Sequence, residues 1–175
     1  MDKRVEENTR VKKAITRAFF ALLEGGKPFD QISVSEITNR AKVSRMAYYR
    51  NFESKLDILA YFLAQIFEAM VKELGEDMDF WTVEYGRAYY RVMKEHRDSI
   101  LLLDRLGFSG MILNAFNTTN EEVAGDMPRS SIERYRLYYA AGASYNAVIH
   151  WLKSGCKESA DEMSRHVLDF FGIKE

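Results

Sequence analysis

Residues 33–59, SVSEITNRAKVSRMAYYRNFESKLDIL, decide the fold of this chain. Ser33 and Glu36 have the S-x-x-E spacing of a capping box, in which two reciprocal hydrogen bonds begin a helix. The apolar pattern then breaks, and Ser44 is suited to cap a second helix over residues 45–50. The stretch therefore predicts two short helices around a tight turn, the arrangement of a helix-turn-helix.

The second of these helices carries side chains that suit contact with nucleic acid. Its exposed side is expected to present Arg45, Tyr48 or Tyr49, and Arg50. Its inward side is expected to present Val43, Ala47 and Phe52. Arginine and tyrosine donate hydrogen bonds to phosphates and base edges. The pattern therefore favours DNA reading over the alternative, a helical hairpin whose Arg and Tyr side chains only cover a surface.

The charge of the chain is unevenly distributed. Its 175 residues carry a net charge of −1, which gives no sign of a nucleic-acid partner. Residues 1–60, however, contain 12 Lys or Arg against 8 Asp or Glu, a net charge of +4, whereas residues 61–175 contain 13 against 18, a net charge of −5. A basic N-terminal part is expected where one end of a protein meets phosphates, although chance clustering on solvated helix faces would also give this split.

Helical periodicity continues along nearly the whole sequence, and no alternating strand pattern of useful length appears. A first helix ends at Gly25, and a third S-x-x-[DE] box opens an apolar run over residues 54–74 with positions that include Leu56, Met70 and Leu74. Later helices are predicted over residues 80–95, 98–106, 130–153 and 159–171. Residues 109–124 are expected to form a short helix that runs into a loop, because they are rich in Gly, Asn and Thr.

These elements predict an all-α fold of about nine helices in two domains. Residues 1–55 are expected to form an N-terminal three-helix helix-turn-helix DNA-binding domain. Residues 56–175 are expected to form a C-terminal helical domain for ligand binding and dimerisation.

Several functional classes are disfavoured by the composition. Cys156 is the only cysteine, so a disulfide framework is excluded and a reducing compartment is expected. The longest apolar run near the start, residues 18–23, is too short for a signal peptide or a membrane span, so we expect a cytoplasmic protein. The three histidines lack metal-ligand spacing, and no nucleophile elbow or phosphate loop occurs. We therefore expect no metal, no cofactor and no enzymatic activity.

The same stretch resembles the N-terminal helix-turn-helix of the TetR/AcrR family of transcriptional regulators. That family pattern runs roughly T-V-x-x-I-A-x-x-A-G-V-S-x-x-x-[FL]-Y-x-x-F-x-[SD]-K-x-x-[LI]-[LI]. The residues that agree with it in register are Val34, Ile37, Ala41, Val43, Ser44, Tyr48, Tyr49, Phe52, Ser54, Lys55, Ile58 and Leu59. With the preceding helix, the match covers about 50 residues without a gap.

The resemblance implies which residues contact DNA. Together with the donors already noted, the expected contact residues are Ser33, Ser35, Ser44, Arg45, Met46, Ala47, Tyr49, Arg50 and Lys55. Two residues depart from the family pattern. Lys42 stands where the family usually has Gly, and a non-Gly residue in a left-handed conformation costs roughly 1–2 kcal/mol. Thr38 replaces the usual Ala. Both departures concern the geometry of the turn rather than a contact residue.

The C-terminal part is expected to hold a ligand and a second copy of the chain. Its dense aromatic residues could line an apolar pocket or simply form the core, and the candidate ligand contacts are Trp81, Tyr85, Tyr89, Phe108, Met111, Phe116, Tyr138 and Tyr145. Residues 138–163 are similar to a long helix, Gly break and final helix of some family members, which implies a four-helix bundle between two subunits. The candidate dimerisation residues are Tyr139, Gly142, Ala143, Ile149, Leu152, Met163 and Phe170, although packing of the small residues within one subunit is the alternative.

The sequence thus predicts a sequence-specific DNA-binding transcriptional regulator, which in this family is most often a repressor released by a small molecule. Its expected partners are a palindromic double-stranded operator, a small apolar or aromatic ligand and a second copy of the chain, without a membrane. Two subunits would place their recognition helices about one DNA turn apart, on the order of 34–36 Å. The alternative is an interaction protein of the same fold that has lost ligand sensing and acts through a protein partner; its mark would be a pocket filled by side chains.

Overall fold

The computed structural model describes residues 3–74 and 81–173. Within these ranges it contains nine α-helices, a short 3₁₀ turn and no β-strand, which confirms the predicted all-α fold. The helices are α1 (Lys3–Glu24), α2 (Val34–Ala41), α3 (Arg45–Asn51), α4 (Lys55–Leu74), α5 (Val83–Glu95), α6 (Arg97–Arg105), α7 (Ser109–Ala124), α8 (Ile132–Lys153) and α9 (Ala160–Phe170). The 3₁₀ turn, Phe29–Gln31, lies between α1 and α2.

Four helices begin at the serine residues predicted to cap them. At α4, Ser54 Oγ accepts a hydrogen bond from the Asp57 N–H at 3.3 Å, and the Asp57 carboxylate accepts one from the Ser54 N–H at 2.8 Å. At α2, Ser33 Oγ accepts a hydrogen bond from the Glu36 N–H at 3.3 Å, and the Glu36 carboxylate accepts one from the Ser33 N–H at 3.0 Å. The same reciprocal pair, Ser159 and Glu162, begins α9. Ser44 caps α3 through a single bond from a backbone N–H of the first turn. These bonds satisfy amide groups that the first turn of a helix leaves without partners.

Residues 109–124 form one continuous helix, so the prediction of a short helix running into a loop is wrong. The Thr118 and Thr119 hydroxyls donate to backbone carbonyls four residues earlier, at 3.0 and 3.2 Å. Such bonds accommodate Thr inside a helix. The helix also buries Ile112 and Phe116 and packs against α6 and α8. Tertiary burial therefore outweighs the weak helix propensity of this segment.

Two helices begin later than predicted because a hydroxyl caps each of them. Thr82 Oγ1 and Ser131 Oγ each accept a hydrogen bond from the N–H three residues further on, both at 3.2 Å. The fifth helix therefore begins at Val83 and the eighth at Ile132. Phe80, the predicted start of the fifth helix, and Gly75, which was predicted to end α4, lie outside the described residues.

The chain divides into two compact units, residues 1–62 and 63–175. The division lies inside α4, which therefore contributes residues to both units. In the first unit α1 packs against α2 and α3. Its buried core consists of Ile15, Ala18, Phe19, Phe20, Leu23, Ile32, Ile37, Tyr48, Phe52, Ile58 and Leu59. Leu56, predicted on the apolar side of α4, is exposed, and the side chains of Met70 and Leu74 lie outside the described part of the chain.

The second unit depends on a close approach of α5 and α9. Gly86 of α5 faces Ser164 of α9, and a Cβ at position 86 would lie 2.2 Å from Ser164 Oγ. That hydroxyl is buried and donates to the Val83 carbonyl at 3.0 Å, so it cannot turn away without losing its bond. α7 packs against α8 on another side of the unit. Within residues 3–74 and 81–173, no helix is both long and apolar enough to cross a bilayer.

Replacing Gly86 by alanine is expected to destabilise the second unit by about 1–3 kcal/mol, because the added methyl group overpacks the α5–α9 contact. Urea unfolding followed by circular dichroism measures this loss. The matched control is Gly110→Ala, since Gly110 is also helical but has open space around its Cβ position. That variant should be unchanged or more stable by up to about 1 kcal/mol. Equal effects of the two substitutions would contradict the packing described here.

Candidate nucleic-acid interface and ligand cavity

α3 has one buried side and one solvent-exposed side. Tyr48 and Phe52 are only 1 and 3% exposed and hold the helix in the core of the first unit. The opposite side, called here the outward face of α3, consists of Arg45, Met46, Tyr49 and Arg50. Met46 and Tyr49 leave 74 and 60% of their surface exposed, which is unusual for side chains of this size. Of the two tyrosines left open by the sequence, Tyr49 is therefore the outward one.

The ring of the buried Tyr48 packs against other aromatic rings, whereas its hydroxyl makes no hydrogen bond to the described residues. Its ring lies 5.3 Å from the Tyr49 ring in an edge-to-face arrangement and 6.2 Å from the Phe52 ring. Its hydroxyl has no hydrogen-bond partner among the described residues. Burial raises the pKa of Tyr48, so the hydroxyl stays neutral. The packing of this ring supports the Tyr49 ring beside it.

The turn between α2 and α3 has the left-handed shape that favours glycine. Lys42 has φ 55° and ψ 44° at the end of α2. Its N–H donates to the Asn39 carbonyl at 3.3 Å, and the Val43 N–H donates to the Thr38 carbonyl at 3.0 Å. Thr38 is buried, but its hydroxyl donates to a backbone carbonyl at 3.1 Å, so it is satisfied. Thr38 is therefore accommodated in the turn, and Lys42 is held in a left-handed conformation that is costly for a residue other than glycine.

The serine residues predicted to contact DNA also make bonds inside the chain. The Arg45 guanidinium donates to Ser35 Oγ, which joins α3 to α2. Ser33 and Ser44 carry the capping hydroxyls of α2 and α3. Ala47, the remaining small residue of the predicted set, is half-buried in α3. The structure therefore brings Ser35 and Arg45 together. Ser33 and Ser44, which were predicted as DNA contacts, also cap α2 and α3.

Lys55 has a structural role that the sequence did not indicate. Its ammonium group donates to the carbonyls of Phe29 at 2.5 Å, Ile32 at 2.9 Å and Asp30 at 3.3 Å, and it lies 4.7 Å from the centre of the Phe29 ring. An ammonium has three N–H donors, so all of them are directed at this turn. Lys55 thereby ties the first turn of α4 to the 3₁₀ turn before α2. A bond from Lys55 to a phosphate would replace one of these.

The capping residue Glu36 is also part of a small charged network. Its carboxylate accepts hydrogen bonds from the Lys27 ammonium and from the backbone N–H and hydroxyl of Ser33. The Lys27 bond, followed by the two Ser33 bonds, lowers the pKa of Glu36 to about 2. Because the carboxylate is stabilised in the folded chain, protonating it in acid removes this stabilisation.

A cavity of about 90 Å³ lies within the second unit, between α4, α5, α7, α8 and α9. Four of the predicted ligand contacts line it: Trp81, Tyr85, Tyr89 and Phe116. The structure places the other four, Phe108, Met111, Tyr138 and Tyr145, outside it. Phe108 directly precedes α7, and Tyr138 is exposed. The centre of the Tyr145 ring lies 6.4 Å from the centre of the Phe116 ring, but Tyr145 does not itself line the cavity. Aromatic character alone therefore does not separate the residues that line the cavity from those that lie outside it.

Several lining residues were missed because they are small or polar. They are Thr82, Gly86, Thr119, Asn120, Ala140, Ala141, Ser144 and Ser164. Other missed members are apolar residues of α4, α5, α8 and α9: Phe67, Tyr90, Leu137, Val167, Leu168 and Phe171. A spacing of three or four residues, as between Ser164, Val167 and Phe171, could have indicated that these residues share one side of the last helix. To assign that side to the cavity, one would also have to know that α9 packs against α5.

An exposed apolar surface extends along α8 and α9. Tyr139 and Phe170 are 75 and 83% exposed. Ala143, Met163 and Phe170 line a shallow groove between the two helices, and Gly142 is half-exposed beside it. Ile149 and Leu152, also predicted to contact a second subunit, are buried in the core of their own chain. These two residues are therefore withdrawn from the candidate dimer surface.

Among the described residues, no group of three or more His, Cys, Asp or Glu side chains is arranged to hold a metal ion.

Cys156 is a buried free thiol next to the C-terminal end of α8. Its φ of 55° follows from the turn that closes that helix, where its N–H donates to the Trp151 carbonyl at 3.0 Å. This cysteine therefore belongs to the closure of α8.

Replacing Lys42 by glycine is expected to stabilise the first unit by about 0.5–1 kcal/mol. The substitution removes the steric cost of the left-handed conformation, which exceeds the added entropy of an unfolded glycine. Urea titration gives the free energy of unfolding. Lys42→Ala is the control, since alanine keeps the Cβ and with it the strain; a glycine variant no more stable than the alanine variant would overturn this interpretation.

Replacing Glu36 by glutamine is expected to lower the free energy of unfolding at pH 7. This difference between the two proteins should become smaller in acid. The folded pKa of Glu36 is depressed, so its contribution is fully present above the ordinary value of about 4.5 and disappears as the pH falls towards about 2. Unfolding free energies of both proteins at pH 7 and pH 3 provide the test. A difference between them that does not shrink at pH 3 would rule out the charged network as its source.

Solved structures with the same arrangement of helices are found, whereas no protein-family model and no curated protein matches the sequence. The dihydroxyacetone kinase operon activator DhaS is 19% identical, with a TM-score of 0.57 over 91% of this chain and 93% of the other. A TetR transcriptional regulator from Streptococcus agalactiae 2603V is 20% identical, with a TM-score of 0.57 over 95% of this chain and 96% of the other. Neither name is that of an enzyme. The chain has the fold of a TetR-type transcriptional regulator.

Proposed function

We propose that the protein is a cytoplasmic, homodimeric transcriptional regulator of the TetR/AcrR family that binds a palindromic DNA operator. The observation that carries this proposal is the outward face of α3, which presents two arginines, a tyrosine and a methionine to solvent on a helix fixed by buried residues. The basic charge of residues 1–60 and the fold support the same assignment. The functional division into a DNA-binding part and a regulatory part then corresponds approximately to the two compact units.

The residues of the outward face have different roles in this proposal. Tyr49 donates its hydroxyl hydrogen to a phosphate, and Arg50 neutralises a neighbouring phosphate. Arg45 and Met46, in the first turn of α3, lie closest to the base edges; an arginine reads guanine, and an apolar side chain packs against the methyl group of thymine. Ser33, Ser35, Ser44 and Ala47 complete the contact surface next to these side chains.

Dimerisation uses the exposed surface of α8 and α9. Among the described residues of the second unit, Phe170 and Tyr139 are the most exposed large apolar side chains, and Phe170 also lines the groove between α8 and α9. Exposed apolar surface is typical of a protein interface. Gly142 and Ala143 permit close approach of a second α8, while Met163 lines the adjoining groove. A symmetric pair presents two outward faces of α3 to one duplex, which explains a palindromic site.

Regulation works through the cavity and α4. Phe67 of α4 lines the cavity, and Lys55 lies twelve residues earlier on the same helix, about 18 Å away at the usual helical rise. A ligand that moves Phe67 therefore acts on a continuous helix whose first turn is tied to the turn before α2. To release DNA, it must bind the DNA-incompetent conformation more tightly than the competent one. We propose repression relieved in this way; DhaS, with the same fold, is named an activator.

Replacing Tyr49 by phenylalanine is expected to weaken binding to every duplex by about a hundredfold or more. A hydrogen bond to a charged group contributes about 1.5–3 kcal/mol, and the symmetric dimer loses two of them. Because tyrosine is uncharged, the dependence of affinity on salt should stay the same. Arg50→Gln should instead reduce the slope of log affinity against log salt by about 0.9 for each phosphate that the protein no longer neutralises. Fluorescence anisotropy titrations at several salt concentrations measure both quantities.

The matched control is Tyr135→Phe, which removes the hydroxyl of an exposed tyrosine of α8 that is not among the proposed dimer contacts. It should leave DNA affinity unchanged. Unaltered binding by both Tyr49→Phe and Arg50→Gln would show that the outward face of α3 is not the DNA contact.

A further inference from the structure

The cavity of the second unit is lined by uncharged residues. No Asp, Glu, Lys, Arg or His side chain is among the described residues that line it. Seven of its 18 lining residues are aromatic, with the Tyr85 and Tyr89 rings stacked at 6.4 Å and the Phe116 ring edge-on to Tyr89 at 6.1 Å. An ion transferred to such a place loses its hydration without gaining a partner of opposite charge, which is strongly unfavourable. The lining therefore selects against charged ligands.

The volume of the cavity limits the size of its ligand. Pockets that bind drug-sized molecules have volumes of about 300–1,000 Å³. An apolar cavity of about 150 Å³ holds benzene. At about 90 Å³, this cavity is smaller than both, so its volume limits a ligand to one ring at most, and even one ring requires the lining side chains to move. Two fused rings would require a larger rearrangement.

The cavity also contains a few groups that can bond to one polar atom. The Tyr89 hydroxyl donates to the Ser144 carbonyl at 3.4 Å, which leaves its oxygen lone pairs able to accept a hydrogen bond. The Asn120 amide nitrogen donates to the Leu137 carbonyl at 2.8 Å, and its amide oxygen is a further acceptor. Both acceptors suit a ligand hydroxyl. Burial raises the pKa of Tyr89, so its own hydroxyl remains protonated and neutral.

We propose that this cavity binds an uncharged, single-ring aromatic molecule with at most one hydroxyl group, of the size of phenol or benzyl alcohol. Aromatic walls favour an aromatic ligand because edge-to-face contacts add attraction beyond the burial of surface. The inference rests on the proposed function for the regulatory role of this ligand. Binding itself involves only the second unit.

Isothermal titration of the full-length chain without DNA tests the proposal with a matched set of probes. Benzyl alcohol should bind, while benzoate and benzylammonium, which have nearly the same shape but carry a charge, should bind at least tenfold more weakly. Cyclohexylmethanol, the saturated counterpart, should bind about two- to tenfold more weakly than benzyl alcohol. Charged probes that bind as well as benzyl alcohol, or an absence of binding by any neutral ring, would overturn the proposal.

Two variants locate the binding site. Ala140 lines the cavity and is half-buried, so Ala140→Leu should fill part of the space and weaken benzyl alcohol binding at least tenfold. Ala60→Leu adds the same atoms at an exposed position of α4 and should leave affinity unchanged. Because Trp81 lines the cavity, benzyl alcohol should change the tryptophan fluorescence of the unaltered chain, and this change should be smaller in Trp81→Phe, which keeps only Trp151. If Ala140→Leu does not fold, a fluorescence change of the same size in Trp81→Phe would contradict this site.

The ligand and DNA results separate the two proposals. DNA binding by the unliganded chain, without binding of neutral aromatic probes, would overturn the ligand assignment alone. Binding of the probes by a chain that ignores every duplex would overturn the proposed function and leave the ligand class standing. Release of DNA by benzyl alcohol, but not by benzoate, would support both.

Discussion

Burial of Tyr48 and Phe52 in the first unit is the contact on which the candidate DNA surface depends. α3 has only seven residues, too few to be stable alone, so its orientation comes from packing against α1 and α2. With those two rings buried, the 3.6-residue repeat directs Arg45, Met46, Tyr49 and Arg50 to solvent. The same burial leaves the Tyr48 hydroxyl without a partner among the described residues, a cost that the ring contacts outweigh.

A second constraint links this surface to the rest of the chain. Lys55 directs its three N–H donors at carbonyls of the turn before α2, so the position of that turn follows the first turn of α4. Further along α4, Phe67 contacts the Phe116 ring at 5.1 Å, and both line the cavity. One helix thus carries both Lys55 and Phe67, and the proposed control of DNA affinity by a ligand would act through this helix.

The sequence predicted local features well and tertiary ones poorly. Capping serines are determined within a few residues of sequence and were anticipated, whereas the left-handed turn at Lys42 was implied by the resemblance, which has Gly at that position. The helix over residues 109–124 was misread because its stability comes from burial against other helices. Four of the eight predicted ligand contacts do not line the cavity, because only packing distinguishes an aromatic side chain of the lining from one on the surface. Burial of Ile149 and Leu152 likewise depends on neighbours distant in sequence.

The central claim is that a symmetric pair of chains applies the outward face of α3 to duplex DNA. Selection of bound duplexes from a random pool by the full-length protein tests it most directly. The account predicts enrichment of an inverted repeat whose half-site centres lie about 10 base pairs, or a multiple of one helical turn, apart. A pool that remains unenriched, or that yields a single motif without dyad symmetry, would contradict the account.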